Sequence, residues 1–267
     1  MSHSLDDLLY LMARLRDSEH GCPWDLKQTM HSILPSTIEE VYELVDAIEN
    51  NDTSQIREEL GDVMFQVVFY ARLAEENGWF DFSSIVSGLT QKLLQRHPHV
   101  FAGGDLYAVP EQHSASMEHV HQQWEAIKAE ERQHKHQYGL LADIPDALPA
   151  LKRAQKIQQR VSGVGFDWPD ASSALKKISE ELKELEQALA QEDRDASEDE
   201  LGDLLFSCVN VARHLKIDAE LALVRANKKF EKRFARVEQQ LQLQEKSPDG
   251  TSLMVMDELW QQAKQAE

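Results

Sequence analysis

The stretch Glu39–Arg72 recurs 141 residues later as Glu180–Arg213, without a gap and with 14 identities in 34 positions. Self-similarity on this scale means two copies of one supersecondary unit, which limits the chain to architectures that can be built twice. The identities include Glu40, Glu43, Glu59, Gly61, Asp62, Phe65, Ala71 and Arg72, matched by Glu181, Glu184, Glu200, Gly202, Asp203, Phe206, Ala212 and Arg213. Beyond Arg72 the register shifts by four, and Lys92 and Arg96 then fall over Lys229 and Arg233.

The repeated carboxylates carry the chemistry. Glu181 and Glu184 are three apart, as are Glu200 and Asp203. On helices, each pair puts two carboxylates on one face about a turn apart. Two such helices packed antiparallel would aim four carboxylates at one point. Like charges gathered in this way repel unless a cation sits among them. A hard divalent ion such as Mg²⁺, which prefers oxygen ligands, meets that need. A lone Glu-x-x-Glu is more often a solvated acidic face, but such a face has no reason to keep four acids at the same spacing in both copies. The second set is Glu40, Glu43, Glu59 and Asp62. On the helix expected over 195–215, Glu200, Asp203, Ser207 and Asn210 form a polar stripe with no basic partner. Leu201, Leu204, Leu205, Cys208, Val211, Ala212 and Leu215 form its apolar face.

Helical periodicity covers nearly the whole chain. Helices are expected over 5–16, from Pro35 to about Asn50, and over 54–77, 82–96, 117–136, 151–161, 173–191, 195–215, 218–244 and 252–265. No sustained alternation of the kind a strand needs is present. The expected fold is therefore all-α, two tandem helical-bundle repeats. The first domain spans 1–137 and the second 150–267, joined by a linker at 138–149 that holds Gly139, Pro145 and Pro149. Residues 102–115 lack periodicity and read as a loop.

Composition excludes several classes of function. The 28 basic residues against 47 acidic ones give a net charge of −19, so nucleic acid is not an expected partner. No run of about 18 apolar residues occurs, which predicts no membrane span. Cys22 and Cys208 have no CxxC spacing, and Met1 to Asp7 has no apolar signal core. A reducing, cytoplasmic location is expected.

Taken together, Glu181-x-x-Glu184 with Glu200-x-x-Asp203, the two Glu-Leu-Gly-Asp strings, Arg96-His97-Pro98-His99-Val100-Phe101 and Asn227-x-Lys229-Phe230-x-x-Arg233-Phe234 resemble the MazG family of nucleoside triphosphate pyrophosphohydrolases. The resemblance covers nearly the whole chain, including the tandem arrangement. It implies an all-α bundle that dimerises so that facing helices complete the site. It also implies Mg²⁺-dependent cleavage of NTPs or dNTPs to monophosphate and pyrophosphate, with Mn²⁺ a workable substitute. On this resemblance Glu181, Glu184, Glu200 and Asp203 hold the metal, Lys229 and Arg233 grip phosphates, and Trp260 lies near the nucleotide.

The two copies differ in ways that favour the second as the catalytic one. Lys177 shares the face of Glu181 and Glu184, within reach of a phosphate, whereas its counterpart is Ser36. Asn210 is replaced by Phe69, Asn227 by Thr90 and Phe234 by His97. Asn210 and Asn227 are expected to help position substrate. Glu180 is a candidate base for activating water, although its place just off the ligand face equally suits a solvated acid. Lys128 is a candidate phosphate arm. His119, His121, His134 and His136 sit on a polar helix and are not expected to form a transition-metal site. His97 and His99 read as a structural corner. The leading expectation is a homodimeric hydrolase of broad base tolerance, with any regulatory protein partner unspecified. The alternatives are a narrow dUTPase- or dCTPase-like enzyme and a non-catalytic scaffold that binds nucleotides or a partner.

Overall fold

A computed structural model describes residues 3–108, Val120, Trp124, Ile127 and 139–266. The chain divides into two compact units, Met1–Ala129 and Glu130–Glu267. Among the described residues both units are helical, with no strand.

The first unit contains α1 (Leu5–Leu15), α2 (Leu34–Glu49), α3 (Thr53–Glu76) and α4 (Phe82–Arg96). Their starts are written in side chains. Ser4 and Asp7 form a reciprocal capping box on α1, with the Ser4 amide donating to Asp7 Oδ2 at 2.8 Å. Asp52 accepts from the Ser54 and Gln55 amides at 3.0 and 3.1 Å, and Asp81 from the Ser84 amide at 2.8 Å. Helices α2 and α3 are joined by a turn in which Asn51 takes a positive φ of 55°, a conformation asparagine tolerates better than most residues. The core is Met12, Ile33, Val68, Phe69 and Leu73, with Phe69 meeting Phe65 edge-on at 5.8 Å. Below it, the buried Arg16 guanidinium clamps Glu76 at 2.7 Å.

The second unit contains α5 (Ala150–Ser162), α6 (Ala171–Ala190), α7 (Arg194–His214), α8 (Ala219–Leu243) and α9 (Leu253–Gln265). Asp170, Asp193 and Asp218 cap α6, α7 and α8 by accepting from the amides of Ser173, Ala196 and Leu221. The three-residue connection at 191–193 makes α6 and α7 a helical hairpin, the most extensively packed pair in the unit. Helix α5 packs on α7 and α8, while α9 packs on α8 through Val237, Leu241 and Leu259. Residues 139–149 pack within this unit. Ile144 is buried, Asp143 pairs with Arg160, and Asp146 pairs with Arg153.

Helix boundaries fall within a few residues of those read from the sequence, and residues 102–104 of the expected loop form a single 3-10 turn. The helix expected at 117–136 lies almost wholly outside the described residues, as do Lys128, His119, His121, His134 and His136. On α7 the apolar face stays largely open, with Leu201 and Leu205 about half exposed, whereas Ser207 of the polar stripe is buried. Asp203, Ser207 and Asn210 of that stripe border a cavity. No described helix is long and apolar enough to cross a membrane.

Candidate active site

The α6–α7 hairpin brings carboxylates from two helices together. Glu181 and Glu184 on α6 and Glu200 on α7 each offer an oxygen within 4.8 Å of the others. Glu181 is 4% exposed, an unusual depth for a carboxylate. Glu184 shares a hydrogen bond with Glu181, and this contact, with burial and repulsion from Glu181 and Glu200, raises its pKa above the ordinary glutamate range. An oxygen-only donor set whose members repel one another in this way fits a hard divalent cation. Asp203 stands outside the triad and borders the cavity instead.

The first unit repeats the arrangement. Glu40, Glu43 and Glu59 converge within the same 4.8 Å. Burial raises the Glu40 pKa, followed by repulsion from Asp62, Glu43 and Glu59, so Asp62 is again a close neighbour rather than a member of the triad. His97 Nδ1 lies 2.7 Å from the Leu93 carbonyl, and its ring packs 5.7 Å from His99 and 6.1 Å from Trp124, a structural corner at the end of α4.

Lys177 distinguishes the second unit. Its ammonium lies 2.8 Å from Glu180 and 2.6 Å from Glu181, one turn from the triad. The hydrogen bonds to Glu180 and Glu181 push its pKa upward and keep it charged. Glu180 thus engages a lysine and is not one of the converging ligands. Beside Lys177, Glu181 and Asp203 opens a cavity of about 650 Å³, large enough for a drug-sized ligand. Its other walls are α5, the turn Gly165–Trp168 and the inward stripe of α7.

Asp167 stiffens that turn. It accepts from the Arg213 guanidinium and lies 3.2 Å from His214 Nε2. Burial alone would raise its pKa, but the Arg213 hydrogen bond and charge outweigh it and hold the carboxyl below its usual range. Arg213 also donates to Asn210 Oδ1 at 2.8 Å, so Asn210 lines the cavity in a fixed orientation.

Other expected substrate residues lie elsewhere. Asn227, Lys229 and Arg233 on α8 and Trp260 on α9 do not line this cavity. The Trp260 ring meets Phe230 at 4.9 Å, and the Arg233 guanidinium lies 5.8 Å from its centroid, a cation–π contact. Sequence reading missed Gln158 and Asp167 as cavity residues. The repeated aromatic-and-Asp turn, Trp24-Asp25 and Asp167-Trp168, was the available signal.

Residues 28–101 and 170–237 each match the MazG nucleotide pyrophosphohydrolase domain. The chain belongs to the MazG nucleotide pyrophosphohydrolase family. Members of the family resemble it end to end. It is 48% identical over 267 residues to an Escherichia coli K12 protein named nucleoside triphosphate pyrophosphohydrolase, covering 99% of this chain and 98% of that one. It is 41% identical over 259 residues to a Thermotoga maritima protein named nucleoside triphosphate pyrophosphohydrolase/pyrophosphatase MazG, covering 97% and 95%. An uncharacterised Bacillus subtilis protein is 39% identical over 266 residues, which span 99% of this chain and 52% of that protein. Family membership makes the chain a hydrolase of the nucleotide anhydride class, and the two matched domains coincide with the two carboxylate triads.

Proposed function

We propose that the second unit hydrolyses nucleoside triphosphates, NTP and dNTP alike, to nucleoside monophosphate and pyrophosphate with Mg²⁺ bound at Glu181, Glu184 and Glu200. The observation that carries this reading is the triad and Lys177 meeting at the mouth of a nucleotide-sized cavity. Water adds across the anhydride between the α and β phosphorus atoms, its hydroxyl going to one phosphorus and its proton to the oxygen released from the other. The divalent ion supplies charge neutralisation on phosphate oxygens and a more acidic water. Lys177 holds a phosphate oxygen beside the triad. Asp203 would complete the ligand set, and Glu180, beside Lys177, would take the proton of the attacking water.

The exposed side chains Leu182, Leu189, Leu201 and Leu205 of α6 and α7 support a homodimer in which a second copy covers them. Lys229, Arg233, Asn227 and Trp260 then act on nucleotide held by the facing copy. We take the tandem repeats as separate domains, the segment before Ala150 folding with the second, in a cytoplasmic enzyme that needs neither nucleic acid nor membrane.

The first-unit triad, which has Ser36 where the second has Lys177, is structural, regulatory or weakly active on this reading. Incubation with Mg²⁺ and each of the eight common NTPs and dNTPs, followed by assay of pyrophosphate and monophosphate, tests the proposal. Pyrophosphate is expected from all eight. Activity on one pyrimidine triphosphate alone would support the narrow enzyme, and no activity would support the scaffold.

A further inference from the structure

Asn210 on α7 lines the cavity and is half-buried. Its Oδ1 takes two donors from one guanidinium, Arg213 Nε at 3.2 Å and Nη2 at 2.8 Å. A guanidinium can only donate, so the amide oxygen must face it and the amide cannot flip. Nδ2 is left on the far edge of the amide, with solvent access and no partner among the described residues. Asn210 therefore turns donors, not its acceptor, away from Arg213. Arg213 is itself held, because Nη2 also donates to Asp167 in the Gly165–Trp168 turn. The first unit shows that a bundle of this kind does not require these contacts. Its counterpart of Asn210 is Phe69, which has no side-chain acceptor, and Arg72, the counterpart of Arg213, donates to Glu75 and Glu76 at 2.9 Å instead.

We propose that Arg213 is a positioning residue for the hydrolase site and that it acts through Asn210. Held by Arg213, the Asn210 N–H groups meet an acceptor atom of the bound substrate. A free amide would present its oxygen as readily as its nitrogen, and that oxygen would repel an oxygen-rich substrate. Arg213 removes this state before binding, so less free energy goes into ordering the amide when substrate arrives. Asp167 completes the chain of contacts by anchoring the guanidinium from the turn. This role rests on the hydrolase reading above and gives Arg213 a part in it.

Steady-state pyrophosphate release from ATP in Mg²⁺ is measured for the full-length enzyme, Arg213→Lys, Asn210→Leu, the two combined, and Asn210→Asp. Lysine keeps the charge beside Asp167 but lacks the fork that grips the amide. Arg213→Lys is expected to raise KM about tenfold, the scale of one lost hydrogen bond, with kcat within about twofold. In the Asn210→Leu background, where KM is already raised, the same change is expected to add less than about twofold, because residues that act as a unit are not additive. Asn210→Asp keeps an acceptor for Arg213 and loses the donors, so the melting temperature is expected to hold while KM rises. A tenfold effect of Arg213→Lys in both backgrounds overturns the proposal, because Arg213 would then act on substrate without Asn210. An unchanged KM in Arg213→Lys or in Asn210→Asp overturns it as well. So does a lower melting temperature with kcat lost and KM unmoved, the mark of a structural residue. Failure of the unsubstituted enzyme to release pyrophosphate from any common nucleoside triphosphate would instead overturn the hydrolase reading on which the role stands.

Discussion

Glu184→Gln is expected to lower pyrophosphate release by about three orders of magnitude, the scale on which a lost electrostatic anchor of a transition state is felt. The same substitution is expected to raise the melting temperature measured in the presence of a chelator. Both effects come from one contact. Glu184 shares a hydrogen bond with Glu181, and repulsion from Glu181 and Glu200 keeps its pKa high. Neutralising it removes a repulsion that the fold tolerates for the sake of cation binding, a trade of stability for function. Thermal unfolding in chelator and a steady-state assay in Mg²⁺ read the two effects separately. Lower stability together with lower activity would mean that Glu184 is an ordinary structural residue.

Divalent cation is expected to stabilise the protein strongly at neutral pH and weakly under mildly acidic conditions. A carboxyl whose folded pKa lies above its unfolded value binds more protons when folded. It therefore subtracts stability as pH rises from the ordinary glutamate range through the raised value. Glu40, Glu59 and Glu184 all shift in this direction. Above that window the triads are charged and strained, and a cation relieves them. Within it, protons compete for the same oxygens. At a hundredfold excess over Kd, bound Mg²⁺ contributes about 2.7 kcal/mol, or roughly 5–10 °C in Tm for a unit of this size. A Mg²⁺-induced shift that is the same at both pH values would count against the carboxylates as ligands.

Much of the fold was legible because most of the described helices carry their own start signal. Asp52, Asp81, Asp170, Asp193 and Asp218 all accept from amides of the first turn, and the apolar spacing between caps does the rest. The triads were legible because helical spacing places i and i+3 together and the repeat singled out which acids mattered. Asp203 shows where spacing stops being enough. It shares the face of Glu200, yet lies outside the 4.8 Å triad and lines the cavity. Contacts between residues far apart in sequence were not legible. Gln158 meets Phe206 across 48 positions and Asp167 meets Arg213 across 46, and no local pattern records either pairing. The apolar stripe on α7 was legible as spacing, but its exposure is set by how the neighbouring helices pack, which no local pattern records.

The central claim is that the chemistry resides in the second unit although both units hold a triad. The direct measurement is pyrophosphate release from a nucleoside triphosphate by two double variants assayed side by side, Glu181→Ala/Glu200→Ala and Glu40→Ala/Glu59→Ala. The first is expected to be inactive, and the second to stay within about threefold of the unsubstituted enzyme, the range of a modest indirect effect. Loss of activity in the Glu40/Glu59 variant with retention in the Glu181/Glu200 variant would contradict the account.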